Sequence, residues 1–178
     1  IDTTRFLVAE TNALCGYTQS DEITLVWRAA EPGSEVFFGG KLMKITSITA
    51  AMATAYFNHH MATYLPEKAD KLPVFDSRAR VVPTAEEAAN CFVRPEQDAV
   101  RNPIQGAARA HFSHKECDNK NGSELQEMLH SKGINWNDYP AFFKRGTYVR
   151  RRVVERQFTP EELAALPEKH TARTNPEA

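Results

Sequence analysis

The sequence predicts an α+β fold with a small antiparallel sheet, and three observations lead there. Residues Glu22-Ile23-Thr24-Leu25-Val26-Trp27 alternate, with Ile23, Leu25 and Trp27 on one face, the two-residue period of a strand. A second strand-like run, Ala13 to Tyr17, precedes it across the polar turn formers Gln19, Ser20 and Asp21, so the pair reads as a tight hairpin. From Lys41 to about Tyr64, apolar residues recur at three- and four-residue steps, the period of an amphipathic helix. At 178 residues the chain is long enough for one domain with a real core, and 42% apolar with 25% charged residues is ordinary globular composition.

The remaining elements follow in order. Residues 1 to 12 carry mixed apolar spacing that suits a helix, with Asp2 or Thr3 near its cap. Ala30 to Ser34, with Pro32 and Gly33, is a loop. The long helix from Lys41 buries Leu42, Ile45, Ile48, Met52, Ala55 and His59, and Pro66 stops it. Phe75 to Val82 reads as another strand, ended by Pro83. Ala85 to Phe92 is a short helix capped by Thr84, and a further helix runs from Arg94 to about His114, where Pro103 kinks it or marks its true start. Ser123 with Gln126 forms a capping box for a helix over Glu124 to Ser131, which Gly133 ends in left-handed conformation. An aromatic turn, Ile134 to Pro140, leads into a basic strand at 144–152. Thr159 then caps a last short helix before a polar tail from His170.

Several stretches carry chemistry. The hairpin tip holds Ser20, Asp21 and Glu22, and adjacent carboxylates there suit Mg²⁺, a hard cation that keeps positions open for phosphate. The same residues also read as a solvated acidic turn. Lys41 and Lys44 lie on one face of a helix's first turn, behind Gly39-Gly40. Cations oppose the helix dipole at that end, so the pair points either to an anion nearby or to solvated lysines. Asp98, Arg101, Asn102, Gln105 and Arg109 form a polar stripe suited to sugar and phosphate contact. Lys144 to Arg152 holds five basic residues in nine around Thr147-Tyr148-Val149. That pattern fits a nucleic-acid backbone or a protected edge strand. His111, His114 and Cys117 lack a clear fourth zinc ligand and read as a helix end or core packing.

Net charge is −1, so any affinity for nucleic acid must come from local clustering. Cys15, Cys91 and Cys117 are odd in number and widely spaced, which fits reduced thiols and a cytoplasmic protein. No run reaches membrane-spanning length, no signal peptide is visible, and no membrane partner is expected. The chain opens at Ile1 without an initiator methionine.

Taken together, these segments resemble the tRNA(His) guanylyltransferase family, above all its bacterial-type members, which add nucleotides in the 3′-to-5′ direction. The likeness runs from about residue 1 to 152. It rests on Gly-Tyr-Thr-Gln-Ser-Asp-Glu at 16–22 and on Phe75-Asp76-Ser77-Arg78, where serine replaces the family's glycine. Further along it rests on Phe112 to Glu116, and on Lys132 to Pro140 followed by Lys144-Arg145-Gly146-Thr147.

The resemblance implies a palm-like sheet of the ferredoxin-like, polymerase and cyclase type, with helices on one face and a helical/β C-terminal extension. The expected division is a palm-like catalytic domain over 1–110, a C-terminal region continuous with it over 111–156, and a short helix and tail over 157–178. Two Mg²⁺ ions would serve phosphoryl transfer from GTP and ATP to the 5′ end of tRNA. Carried over by position, Asp21 is a metal ligand, Glu22 a neighbouring carboxylate, and Ser20 touches the nucleotide. Lys41 and Lys44 match positions that hold triphosphate, and Asn102 survives from a His-Ile-Asn-Asn-type motif. Contacts to tRNA would come from Arg101, Arg109, Lys115, Lys144, Arg145, Arg150, Arg151 and Arg152. A homo-oligomer, a tetramer in this family, is expected. The family's Asp-Gly strand, which supplies the other metal carboxylate, would precede residue 1. Departures near Val100 to Pro103 favour repair of truncated tRNA 5′ ends over untemplated addition of one G. The rival expectation is a non-catalytic nucleotide- or RNA-binding remnant of the fold. A cyclase-like reading is disfavoured by the basic strand, since a cyclase needs no polyanion groove.

Overall fold

The computed structural model of the chain describes residues 1–29, 35–152 and 158–168, without the side chains of Arg94, Val100 and Arg101. In order it forms α1 (Asp2–Glu10), β1 (Cys15–Gln19), β2 (Glu22–Val26), α2 (Leu42–Tyr64), α3 (Ala85–Arg109), α4 (His114–Cys117), α5 (Gly122–Ser131), α6 (Ala141–Arg145), β3 (Thr147–Arg150) and α7 (Pro160–Ala165). The loop expected at 30–34 and the tail expected from His170 lie outside the described residues.

The sheet has the order β2-β1-β3, antiparallel throughout. The hairpin forms in the register its alternation implies, from Cys15 opposite Val26 to Gln19 opposite Glu22, which leaves Ser20-Asp21 as a two-residue turn. Ser20 takes φ 55°, a left-handed value that a short polar residue tolerates better than a branched one. Central β1 is the buried strand, whereas edge strand β2 is only half-buried on both faces beyond Glu22. α1 lies close on one face. A Cβ at Gly16 would come within 2.8 Å of Val8 and 2.9 Å of Thr4, so only glycine lets the helix settle there. α2 packs on α1, with Phe6 stacked on Tyr56 at 4.2 Å. Tyr17 projects from the opposite face and meets Tyr148 at 4.7 Å and Phe92 of α3 at 6.5 Å.

Several local expectations change. α1 starts at Ile1 as N-cap with no side-chain cap, so neither Asp2 nor Thr3 caps it. The buried line of α2 is Ile45, Thr49, Ala53 and Met61, while Leu42, Ala55 and His59 are exposed. Small residues at four-residue steps give a close seat for a neighbouring helix, and Thr49 hides its hydroxyl on the Ile45 carbonyl at 2.7 Å.

The strand expected at Phe75–Val82 does not form. That stretch is extended but unpaired, and α2's own side chains bind it instead. Asn58 Nδ2 donates to the Pro73 carbonyl at 2.8 Å, the Phe75 N–H donates to Thr54 Oγ1 at 2.9 Å, and Thr49 and Ser77 hydroxyls meet at 2.9 Å. Four residues of extended chain, 73 to 77, cover about 13 Å and the nine helical steps from Asn58 back to Thr49 about 13.5 Å, so the two ladders match.

α3 is one helix of 25 residues, not two, and it passes through Pro95 and Pro103. Each proline removes one N–H donor. Burial of Ala99, Ile104, Ala107 and Ala108 holds the helix together regardless. It ends at Arg109, short of His114, because Ser113 caps the separate α4. The cap of α5 is Asn121 with Glu124 rather than Ser123 with Gln126. Gly133 ends α5 as expected, at φ 74°, with Gly133 N–H on the His130 carbonyl and Ile134 N–H on that of Leu129. Cys117 packs with Ile104, Leu125 and Leu129 in the main apolar cluster, which is core packing rather than metal ligation.

Candidate functional site

The hairpin tip is built by strand pairing on one side and by a distant anchor on the other. Thr18 Oγ1 donates to the Glu22 carbonyl at 3.1 Å across the turn. Gln19 Nε2 donates to the Phe143 carbonyl at 3.0 Å, and the Tyr17 hydroxyl donates to the Arg145 carbonyl at 2.8 Å. Burial pushes the Tyr17 phenol above its ordinary pKa, so it stays a donor across the working range. The C-terminal segment thus clamps β1 just below Ser20. Gly146 makes the crossing possible, at φ 71° and ψ −168°, where a Cβ would lie 2.6 Å from the Thr18 carbonyl oxygen.

Ser20, Asp21 and Glu22 are all exposed at this tip. Neither carboxylate makes a hydrogen bond or ion pair with a described residue, so both are open to a cation. Carboxylate and hydroxyl oxygens are the hard donors Mg²⁺ takes, and one or two protein carboxylates suffice when phosphates supply the rest. Among the described residues no three His, Cys, Asp or Glu side chains gather to hold a metal. An ion bound at the tip would have Asp21 and Glu22 as its nearest carboxylates.

Ser20 opens onto a groove of about 690 Å³, within the size range of small-ligand sites. Its walls are the start of α1, the last turns of α2, α3 near Asn102, and α6. Two residues expected at one nucleotide, Ser20 and Asn102, are brought together here. The walls also carry Tyr56, His60 and Tyr64 of α2, which the sequence reading passed over. Their four-residue spacing is visible in the sequence, but the apolar stripe read there runs through His59, which is exposed. Asp2 at the rim accepts from the Tyr64 hydroxyl at 2.7 Å and from Arg5 at 3.0 Å. Those bonds, Tyr64's first, hold the Asp2 carboxyl below its ordinary value.

Lys41 and Lys44 are not brought to the tip. α2 passes the groove at Phe57, and Lys44 lies thirteen residues earlier, about 20 Å along the axis. Lys41 is the N-cap residue there, and Lys44 Nζ sits 4.5 Å above the Phe38 ring. The approach to this helix start is left-handed, with Phe38, Gly39 and Gly40 successively at φ 53°, 59° and 73°, a conformation that strains Phe38 and that the glycines accept freely. Phe37 faces Trp27, seven residues from Ser20 along β2, which places the lysines at the opposite end of the sheet.

The basic residues divide in the same way. Lys144 and Arg145 sit beside the tip, and Lys144 Nζ donates to the Asn137 carbonyl at 2.8 Å. Arg150 pairs opposite Cys15 at the far end of β3, and Arg151 donates to Asn12 Oδ1 at 2.8 Å. Arg152, Lys115 and Arg109 are exposed. The side chain of Arg101 lies outside the described residues. Asp76 pairs with Arg78 at 3.0 Å on the surface and is no part of the tip.

Comparison with known proteins bears on this site. A family model described as tRNAHis guanylyltransferase (Thg1) matches residues 1–83, a stretch that includes the hairpin tip. A solved bacterial tRNA(His) guanylyltransferase (Thg1)-like protein in complex with ATP is 39% identical with a TM-score of 0.74, covering 84% of this chain and 65% of that one. Another, in complex with GTP, is 35% identical with a TM-score of 0.67, covering 87% and 63%. The tRNA(His) guanylyltransferase of Neurospora crassa is 28% identical over 149 residues, 76% of this chain and 50% of its own. The chain spans about half the length of the curated relatives it matches. No described helix is long and apolar enough to cross a membrane. Its α+β fold, its hairpin motif and these likenesses agree: the chain belongs to the tRNA(His) guanylyltransferase family.

Proposed function

We propose that this chain carries part of the active site of a nucleotidyltransferase that extends the 5′ end of tRNA in the 3′-to-5′ direction, using GTP and ATP. The observation that carries this reading is the tip itself: Asp21 and Ser20, exposed and clamped from below, at the mouth of a groove that Asn102 also lines. Similarity to proteins solved with ATP and with GTP supports nucleotide substrates. In the activation step, a tRNA 5′-monophosphate attacks ATP and pyrophosphate leaves. In the addition step, the 3′-hydroxyl of the incoming nucleotide attacks the activated 5′ phosphate, the phosphoanhydride bond breaks and AMP leaves.

Asp21 would hold the metal, and Glu22 would add negative potential beside it. The chemistry Mg²⁺ would supply there is neutralisation of charge on the transferring phosphates. Ser20 offers its hydroxyl to the nucleotide. Lys144 and Arg145, flanking the tip, hold the RNA end, while Arg150, Arg151 and Arg152 continue the contact along the β3 edge. Lys41 and Lys44 bind phosphate about 20 Å away, a separation that fits a long polyanion better than one triphosphate. Repair of truncated 5′ ends is favoured over untemplated addition. The active form is a homo-oligomer, and free thiols at Cys15, Cys91 and Cys117 fit a cytoplasmic setting.

The test is Asp21→Ala, assayed by extension of a 5′-truncated, 5′-monophosphorylated tRNA with GTP and ATP. Loss of addition by a hundredfold or more, on the order of one missing charge-stabilising group, is expected with an unchanged thermal melt. Equal extension by variant and parent would refute the reading.

A further inference from the structure

The end of the sheet opposite the hairpin tip holds a second cavity, of about 290 Å³, at the lower bound of small-ligand sites. Two of its walls are rings. Trp27, just past β2, and Phe37 lie nearly parallel, at 9°, yet their centroids stand 6.2 Å apart. Stacked pairs elsewhere in the chain close to 4.2 Å, so this pair is open. A planar ring between two faces needs about 7 Å, one contact of about 3.5 Å on each side, so the pair is within about 1 Å of admitting one. Both rings are held. Trp27 Nε1 donates to the Thr11 carbonyl at 3.0 Å and lies 3.1 Å from Thr11 Oγ1. Phe37 backs onto Phe38 at 4.3 Å, and Lys44 Nζ sits over Phe38. Two non-glycine residues here take left-handed backbone, Asn12 of the cavity wall at φ 54° and Phe38 at φ 53°. Strain of that kind gathers at ligand sites.

The charge around the slot suits phosphate. Arg28 lines the cavity and makes no hydrogen bond or ion pair with a described residue. Arg151 reaches the rim on Asn12 Oδ1 at 2.8 Å, and Lys41 and Lys44 follow Phe38 at the start of α2. Glu35, the single carboxylate among the described lining residues, is an acceptor for the amino group of a base.

We infer that this slot takes one unpaired base of the RNA substrate, held between Trp27 and Phe37, while Arg28, Lys41 and Arg151 hold the phosphates on either side of it. The inference rests on the reading of RNA as substrate. It adds a contact about 23 Å from Ser20, the length of seven strand residues, beyond the reach of a nucleotide bound at the tip. Lysines and arginines grip phosphate whatever it carries, whereas a slot between two rings admits an unstacked base and excludes a duplex.

The chain has two tryptophans, so Trp136→Phe leaves Trp27 as the sole indole. The experiment titrates that variant with a short single-stranded oligoadenylate and with an abasic oligomer of equal charge, following Trp27 fluorescence. Quenching by oligoadenylate is expected, with binding about tenfold tighter than that of the abasic chain, the size of one base–aromatic stack. Adding Phe37→Ala removes that advantage. Phe37→Tyr, which keeps a ring, retains it within about twofold and guards against a folding defect. Saturating ATP with Mg²⁺ leaves the quench in place. If the two oligomers bind alike and Trp27 stays unquenched, while tRNA 5′ ends are still extended, the slot takes no base and the inference is wrong, though the tip keeps its role. If ATP alone quenches Trp27 and displaces the oligomer, the cavity is a free-nucleotide site and the RNA assignment falls. If the parent binds neither oligomer nor tRNA, the nucleotidyltransferase reading falls and takes the slot with it.

Discussion

Replacing Gly146 by alanine tests whether the C-terminal clamp is what holds the hairpin tip. The residue sits at φ 71° and ψ −168°, a region that essentially only glycine adopts, so alanine there costs about 1–3 kcal/mol in backbone strain. Its new methyl would meet the Tyr17 hydroxyl at 2.5 Å and the Thr18 carbonyl oxygen at 2.6 Å. The carbonyl belongs to a paired strand and cannot swing aside, so α6 and β3 must back away. That breaks the Tyr17–Arg145 bond and leaves a buried hydroxyl unsatisfied, for about 1–3 kcal/mol more. The sum is about 2–6 kcal/mol, a large share of the roughly 5–15 kcal/mol a domain possesses. With a urea slope of about 2 kcal/mol per molar, the midpoint should fall by about 1–3 M, followed by tryptophan fluorescence. Tyr17→Phe alone should cost about 1–2 kcal/mol. The double variant should cost less than the sum, because the hydroxyl that the methyl strikes is gone. A midpoint shift under about 0.5 M for Gly146→Ala, or strict additivity, would show that the crossing bears little of the load.

Charge reversal at Arg150, Arg151 and Arg152 should weaken tRNA binding and lower the slope of log affinity against log salt by about 0.9 for each lost phosphate contact; an unchanged slope would move the RNA path off the β3 edge. Tyr64→Phe should let the Asp2 carboxyl rise toward its ordinary value, as read by NMR titration. The depressed carboxyl stabilises the fold above its ordinary value of 3.8, and that contribution is lost as pH falls through the lower folded value. The acid limb of the melting curve below about pH 4 should therefore flatten in the variant. A resonance that does not move would mean that Tyr64 does not hold Asp2 in solution. Asn121→Ala removes the acceptor for the Glu124 N–H and should lower stability by about 1 kcal/mol; a melt identical to the parent's would show that α5 is held by packing alone.

What could be read without coordinates was whatever neighbouring residues decide among themselves. The hairpin register follows from alternation on either side of Ser20-Asp21. The end of α2 follows from Pro66, and the Gly133 and Thr159 caps follow from bonds that span three to five residues. Asp21 stood out because a carboxylate in a two-residue turn can only sit at its tip.

The rest depends on partners far off in the chain, which no window of residues can weigh. Phe75–Val82 has the alternation of a strand, but a strand exists only where another strand offers its edge, and here α2's Thr49, Thr54 and Asn58 satisfy it instead. α3 runs through two prolines because burial against α5, α6 and the sheet outweighs two lost donors. Lys41 and Lys44 look like neighbours of Asp21 in sequence, yet a helix of 23 residues carries its two ends to opposite ends of the sheet. The groove is decided last of all. Tyr17 reaches Arg145 and Gln19 reaches Phe143 over more than a hundred residues, and only that closure sets α6 opposite the rings of α2. Local order is set by short-range bonds and rotamers, whereas a cavity is set by which distant surfaces meet.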